Sequence, residues 1–324
     1  MGLDVYSRRE YKQGKFVYLL DDKEKTAWIA KGHIGRCRRY RLPDHVMIDG
    51  ERYTVESVEA GAYNRPRTLR HLIIPDTFNY VDEWAFLCDN LRSVYIGKGL
   101  DYLDSWTFCQ CNKPRIFQID KDNPYLKYEN EMVLSKDGKI MFNAHDNDCS
   151  HITIPEGVEE INQYAFSGLC KLESITLPST LRRTKDNSFG NCPKLREVVL
   201  PEGFEKLGVQ SFMENENLNH IDLPSTLTDI GCQSFMDCPN LWTIVVRSPK
   251  VAKQHECFEG APTDICNLFV PDNLVEEYKQ DPVWGVFKHI LPLSKKYITR
   301  GTTEAEHKEL MRIMREIAKN KIDD

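Results

Sequence analysis

The sequence predicts a mainly β solenoid, and three observations carry that prediction. Apolar residues recur at a fixed separation of 23: Leu172, Leu195, Leu218 and Leu241, then Ile175, Val198, Ile221 and Ile244, then Phe166, Phe189, Phe212 and Phe235. A period of this length, sustained over several turns, belongs to stacked coils and not to a single globule. Each unit also holds a short alternating stretch closed by proline: Ile175 and Leu177 before Pro178, Val198 and Leu200 before Pro201, Ile221 and Leu223 before Pro224. Alternation puts one face of a short strand inward, and proline ends the strand because it has no N–H to give. Finally, no run of 18 apolar residues exists, so the chain contains no candidate membrane helix.

Within one unit, Leu172, Ile175 and Leu177 point inward from the first strand while Ser174 and Thr176 point away. Leu181 and the residue three later turn inward again on a second extended segment. Ser188 and Phe189 then require a short helical turn that drives the phenylalanine under the coil. Cys192 closes the unit three residues before the next leucine, in a column that reads Cys88, Cys111, Leu169, Cys192, Asn215, Cys238. One coil leaves its upper and lower faces bare, so coils must stack and the ends of the stack need caps.

In chain order, residues 1–41 are expected to form an N-terminal capping hairpin. Its strands are Phe16–Leu20 and Thr26–Ala30, joined by a polar turn at Asp21–Lys25. The solenoid then runs over 42–293. Its first coil is stretched, with a second hairpin turn at Asp49 and Gly50. Two further coils follow, one through Leu69, Leu72, Ile74 and Phe86, the other through Leu91, Val94, Ile96 and Phe108. Residues 117–150 interrupt the period, and Lys136–Lys139 between Met132–Leu134 and Ile140–Phe142 reads as an inserted hairpin. The period resumes at Ile152 and Ile154 and decays after Val246 through Cys257 and Phe258 to Leu268–Pro271. There Asp272 is placed to cap a short helix over Leu274–Gln280, and Trp284, Phe287, Ile290 and Leu291 supply an apolar lid.

These features resemble the BspA-like leucine-rich repeat family. The resemblance rests on units ending in Ala85, Phe86 and Cys88, on the insert from Asn123, Pro124 and Tyr125 to Lys136, Asp137 and Gly138, and on the closing Phe269–Pro271 through Tyr278 to Trp284 and Phe287. It spans roughly residues 40–293 and seven coils. It implies a right-handed leucine-rich repeat solenoid used for binding, often on bacterial or protist surfaces and in adhesion. It carries no catalytic residues over.

Residues 294–324 lie outside that resemblance and read as a C-terminal helical tail. Thr303 and Glu306 have capping-box spacing, and Leu310, Ile313, Met314 and Ile317 form one apolar stripe. The expected cover for that stripe is the solenoid end near Trp284 and Phe287, leaving a monomer; a dimerising helix is the alternative.

Eleven cysteines without framework spacing read as buried small hydrophobes and fit a reducing compartment. The first ten residues lack the apolar stretch of a signal peptide. Together these lead to the expectation of a cytoplasmic chain, with a cell-surface or secreted protein as the alternative if an export signal precedes it. The net charge is −6, yet residues 1–41 are basic through Arg36, Arg38, Arg39 and Arg41 among others. The acidic remainder, and the lack of interleaved aromatics beyond Tyr40, argue against nucleic acid and for a solvated capping strand.

No phosphate loop, nucleotide fingerprint or paired-histidine metal motif is present, and no cofactor is expected. Cys109 and Cys111 are the nearest thing to a zinc pair, but Cys111 belongs to the inward column. The outward strand positions, taken coil by coil, are His71 and Ile73, Ser93 and Tyr95, His151 and Thr153, Ser174 and Thr176, Glu197 and Val199, His220 and Asp222, Thr243 and Val245. Such a mixture of polar, aromatic and apolar groups on a flat sheet suits recognition of another protein. Within it His151, Ser174 and Glu197 fall on successive coils, which leaves a hydrolase as the competing reading, without a nucleophile turn or oxyanion donor to support it.

Overall fold

A computed structural model describes residues 8–64, 66–88, 90–103, 107–108, 116–144, 149–251, 253–254 and 256–295. The fold is a mainly β solenoid of about nine turns with a short helix, Val275–Gln280, near the C-terminal end of the described residues. It divides into two compact units, Met1–Asp148 with Gly157–Phe166, and Cys149–Glu156 with Ser167–Asp324.

In the first unit the expected capping hairpin is part of a larger sheet. Arg9–Gln13, Phe16–Asp21 and Thr26–Lys31 form an antiparallel meander. The third of these strands pairs in parallel with Glu51–Val58. That strand folds back antiparallel on His45–Ile48 through Asp49 and Gly50, whose positive φ angles of 52° and 82° are those a tight hairpin turn demands. The coil strands Arg39–Arg41, His71–Ile74, Ser93–Ile96 and Ile116–Ile119 form a four-stranded parallel sheet. Ile116–Ile119 is in full register with Ser93–Ile96 and Phe117 is buried, so the period extends to Ile119 and the interruption begins after it. The inserted hairpin is the second half of a three-stranded meander, Leu126–Glu129, Met132–Ser135 and Ile140–Ala144, whose last strand pairs in parallel with Glu160–Ile161.

In the second unit the period gives three hydrogen-bonded sides. The first is a seven-stranded parallel sheet of His151–Thr153, Ser174–Thr176, Glu197–Val199, His220–Leu223, Thr243–Val246, Asn267–Val270 and His289–Pro292. The second is a ladder of two-residue strands, Arg183–Thr184, Lys206–Leu207, Asp229–Ile230 and Lys253–Gln254. The third is the corner that carries Ser188 and Phe189 and their equivalents. It is a run of turns with left-handed residues at Asn187, Asn191, Gln210, Glu214, Gln233 and Asp237. This backbone turns alternate N–H groups toward the next coil, so Phe189 N donates to Ser211 O, Phe212 N to Ser234 O and Phe235 N to Cys257 O. Phe189, Phe212, Phe235 and Phe258 stack nearly parallel beneath, with centroids 5.1, 5.9 and 5.7 Å apart. Gly208 and Gly231 let these corners close, since a Cβ on either would lie 2.4 or 2.3 Å from backbone atoms.

The cysteine column is inward as expected: Cys88, Cys192 and Cys238 are fully buried. Asn215 occupies the same column fully buried, satisfied by backbone partners in its own and the neighbouring coil. At the C-terminal end the short helix is Val275–Gln280, preceded by a 3-10 turn over Asp272–Leu274. Asp272 does not cap it; its carboxylate accepts from the backbone N–H of Ser294, 3.0 Å away. Trp284 is fully buried there against Phe258 and Tyr278. The expected tail helix, including Leu310, Ile313, Met314 and Ile317, lies outside the described residues, as do Cys109 and Cys111.

Candidate interaction surface

Each unit presents its own strand face, built from alternate residues that the parallel register lines up. In the second unit, register places His151 beside Ser174, Ser174 beside Glu197, Glu197 beside His220, and His220 beside Thr243. The neighbouring column runs Thr153, Thr176, Val199, Asp222, Val245. His151, Thr153, Ser174, Thr176, Glu197 and Val199 are exposed, and His220 and Thr243 are half-buried. Val199 stands out as an apolar side chain 54% exposed among polar neighbours.

Two of the expected face residues are not available. Asp222 is 7% exposed and Val245 is fully buried. Asp222 accepts a two-pronged contact from Arg247, Nε to Oδ1 and Nη2 to Oδ2, both 2.7 Å. Val245 lies in register between Asp222 and Phe269, which is itself buried. The strip therefore ends at the coil of Glu197 and Val199, with His220 and Thr243 as its partly covered margin.

Geometry also decides against a catalytic triad of His151, Ser174 and Glu197. His151 Nδ1 and Ser174 Oγ are 2.7 Å apart, so one member pair exists. A triad places the imidazole between hydroxyl and carboxylate, whereas register here puts the serine in the middle. Glu197 lies on the far side of Ser174 and approaches His220 at 4.0 Å. The second nitrogen of His151 faces Thr153 and Thr176 hydroxyls at 3.3 and 3.4 Å. The same serine–histidine contact recurs in the first unit between His71 Nδ1 and Ser93 Oγ at 2.8 Å, as expected of a repeated strand-face contact. Among the described residues no group of three His, Cys, Asp or Glu side chains is placed to hold a metal ion. No described helix is long and apolar enough to cross a membrane.

In the first unit the strand face forms an open groove of about 470 Å³. Its lining includes the expected His71, Ile73, Ser93 and Tyr95, joined by Arg39, Arg41 and Gln118. Tyr95 donates to Asp120 Oδ2 at 2.6 Å, which pushes the phenol up to about 12 and holds the carboxylate below its usual range. The arginines were legible as a cluster but not as groove members. The stretched first coil takes Arg39 out of the regular period, and only the pairing of Arg39 with His71 and Arg41 with Ile73 restores them to the column.

A family model described as the BspA type leucine rich repeat region matches residues 51–130 and 138–263 in six copies. No curated protein is significantly similar to the chain. Among solved structures it is similar to a leucine-rich repeat protein from Bacteroides ovatus at 19% identity and a TM-score of 0.48, over 87% of this chain and 76% of that one. It is similar to the pneumococcal vaccine antigen PcpA at 11% identity and a TM-score of 0.47, over 88% and 98%. A leucine rich cell surface protein from Faecalibacterium prausnitzii matches at 15% identity and a TM-score of 0.39, over 74% and 94%.

Proposed function

The chain belongs to the BspA-type leucine-rich repeat family, and from that premise we propose that it is a non-enzymatic scaffold binding another protein through its strand faces. The observation that carries the reading is the exposed block of Thr153, Thr176 and Val199 beside His151, Ser174 and Glu197. None of these six is a core residue, and the backbone beneath is tied coil to coil. A rigid platform loses little conformational freedom on binding, and an exposed valine ringed by polar groups has the make-up of an interface centre with its rim.

The test is site-specific photocrosslinking in the full chain. A photoreactive residue at Thr176 or Val199 is expected to trap a protein partner in cell extract, while one at Lys206 or Asp229, exposed on the second ladder, traps none. Equal trapping from both faces, or none from the strand face, overturns the proposal.

A reducing compartment is the location this reading favours. The nine described cysteines are free thiols, two of them, Cys37 and Cys170, exposed. Display on a cell surface is the alternative, and protease shaving of intact cells separates the two.

A further inference from the structure

We propose that the groove of the first unit binds an acidic peptide segment, held by a line of arginines with few acids to neutralise them. This deepens the protein-binding reading and rests on it. Two sets of arginines lie on the strands of this face and at their starts, and the first set lines the groove. Arg39 and Arg41 are alternate residues of one strand, so both project on the groove side, while Tyr40 between them turns inward onto the Tyr63 ring. Arg38, Arg70 and Arg92 form a second column, one per coil, immediately before the three strands. Their backbones are locked together, Arg70 N to Arg38 O at 2.8 Å and Arg92 N to Arg70 O at 2.7 Å. Adjacent positions along the stack are therefore spaced by about 4.8 Å.

Like charges on neighbouring coils repel weakly through solvent, and their summed positive field favours an anionic partner. Among the described residues, the only ion pair made by these five guanidinium groups is Arg41 with Asp44, at 3.8 Å. The equivalent column of the second unit is different: Glu173 precedes Arg196, and the two pair at 3.7 Å. Self-neutralisation is thus available to this repeat and, among the described residues, is not used by Arg38, Arg70 and Arg92. Arg38, Arg39, Arg41 and Arg92 are exposed. Among the described residues, the strand that holds Arg39 and Arg41 is also the edge of its sheet, the position at which an extended segment can add.

A peptide fits better than nucleic acid. Single-stranded binding relies on successive aromatic faces for stacking, but Tyr40 packs inward, which leaves Tyr95 as the one tyrosine of the groove lining. Asp120 stands beside the groove, on Tyr95, with Asp122 close by on Lys98, and the whole chain is −6. A long polyanion meets repulsion there, whereas a short run of Glu or Asp can sit over the arginines alone.

The experiment uses the full chain and a fluorescent decapeptide of alternating Glu and Ser, read by anisotropy at low and moderate salt. The Lys-Ser decapeptide and a single-stranded decanucleotide serve as comparisons. Expected are saturable binding of the acidic peptide, weakening as salt rises, and a loss of roughly tenfold or more in R39E/R41E. That variant should keep the wild-type melting temperature, and Lys206→Glu in the second unit should bind like wild type. Absence of binding, equal binding by R39E/R41E, or tighter binding of the oligonucleotide overturns the proposal. Crosslinking at Thr176 and Val199 is independent of these arginines. If it succeeds while the peptide fails, only the acidic-segment assignment falls.

Discussion

Arg247 closes over Asp222 through two 2.7 Å hydrogen bonds from the coil above, and this pair ends the open part of the second unit's strand face. The side chains are 25% and 10% exposed, so the contact is largely shielded from solvent and stronger than a surface ion pair. Asp222→Ala should lower stability by about 1–2 kcal/mol, because Arg247 loses these two hydrogen bonds but can still reach water. Urea denaturation of the variant checks this. A midpoint equal to wild type would mean the pair contributes nothing.

Asn215 is the second structural test. Its Nδ2 donates to Phe189 O at 2.9 Å and Phe212 O at 2.8 Å, and its Oδ1 accepts from Cys192 N at 3.1 Å. Asn215→Ala strands these backbone groups in a dry interior at about 2–4 kcal/mol. Asn215→Cys should fall between, because Cys238 in the same column donates its thiol to Phe212 O at 3.0 Å. The order wild type, Asn215→Cys, Asn215→Ala in denaturation midpoint is expected; an Asn215→Ala protein as stable as wild type would contradict the ladder.

The thiols give a pH dependence. Burial pushes Cys192 and Cys238 up to about 12 and raises Cys266 as well. The folded state therefore keeps protons that the unfolded chain releases near its ordinary thiol value of about 8.5. Their contribution to stability is fully present below that value and is lost progressively as pH rises from there toward about 12. A thiol reagent at pH 8 should modify Cys37 and Cys170 at once and Cys192, Cys238 and Cys266 only on unfolding. Rapid native labelling of Cys192 or Cys238 would contradict the register of the column.

Where the 23-residue period holds, the residues alone place the structure. Phe189, Phe212 and Phe235 stack, Cys192 and Cys238 are buried, and Ser174 and Glu197 face out, because a repeat unit packs only against copies of itself. Three kinds of feature escape that logic. The strand position of Arg39 and Arg41 depends on a first coil stretched by the Asp49–Gly50 hairpin. The strand Arg9–Gln13 belongs to a meander outside the repeat. Val245 alternates outward correctly, but alternation says which side of a strand a residue takes and not what lies over it. Here Arg247 follows two residues later in the same coil and reaches Asp222, and the next coil brings Phe269 to that side.

The proposed binding surface is the strand face and not another side of the coil. The most direct measurement is the affinity of the partner trapped at Val199 for two double variants, T176R/V199R on the strand face and K206E/D229K on the second ladder. All four positions are exposed, so both variants should keep the wild-type fold and melting temperature. A loss of about a hundredfold or more in T176R/V199R, with K206E/D229K equal to wild type, is the predicted result. Equal affinity of T176R/V199R and wild type would mean that the partner binds elsewhere than on the strand face.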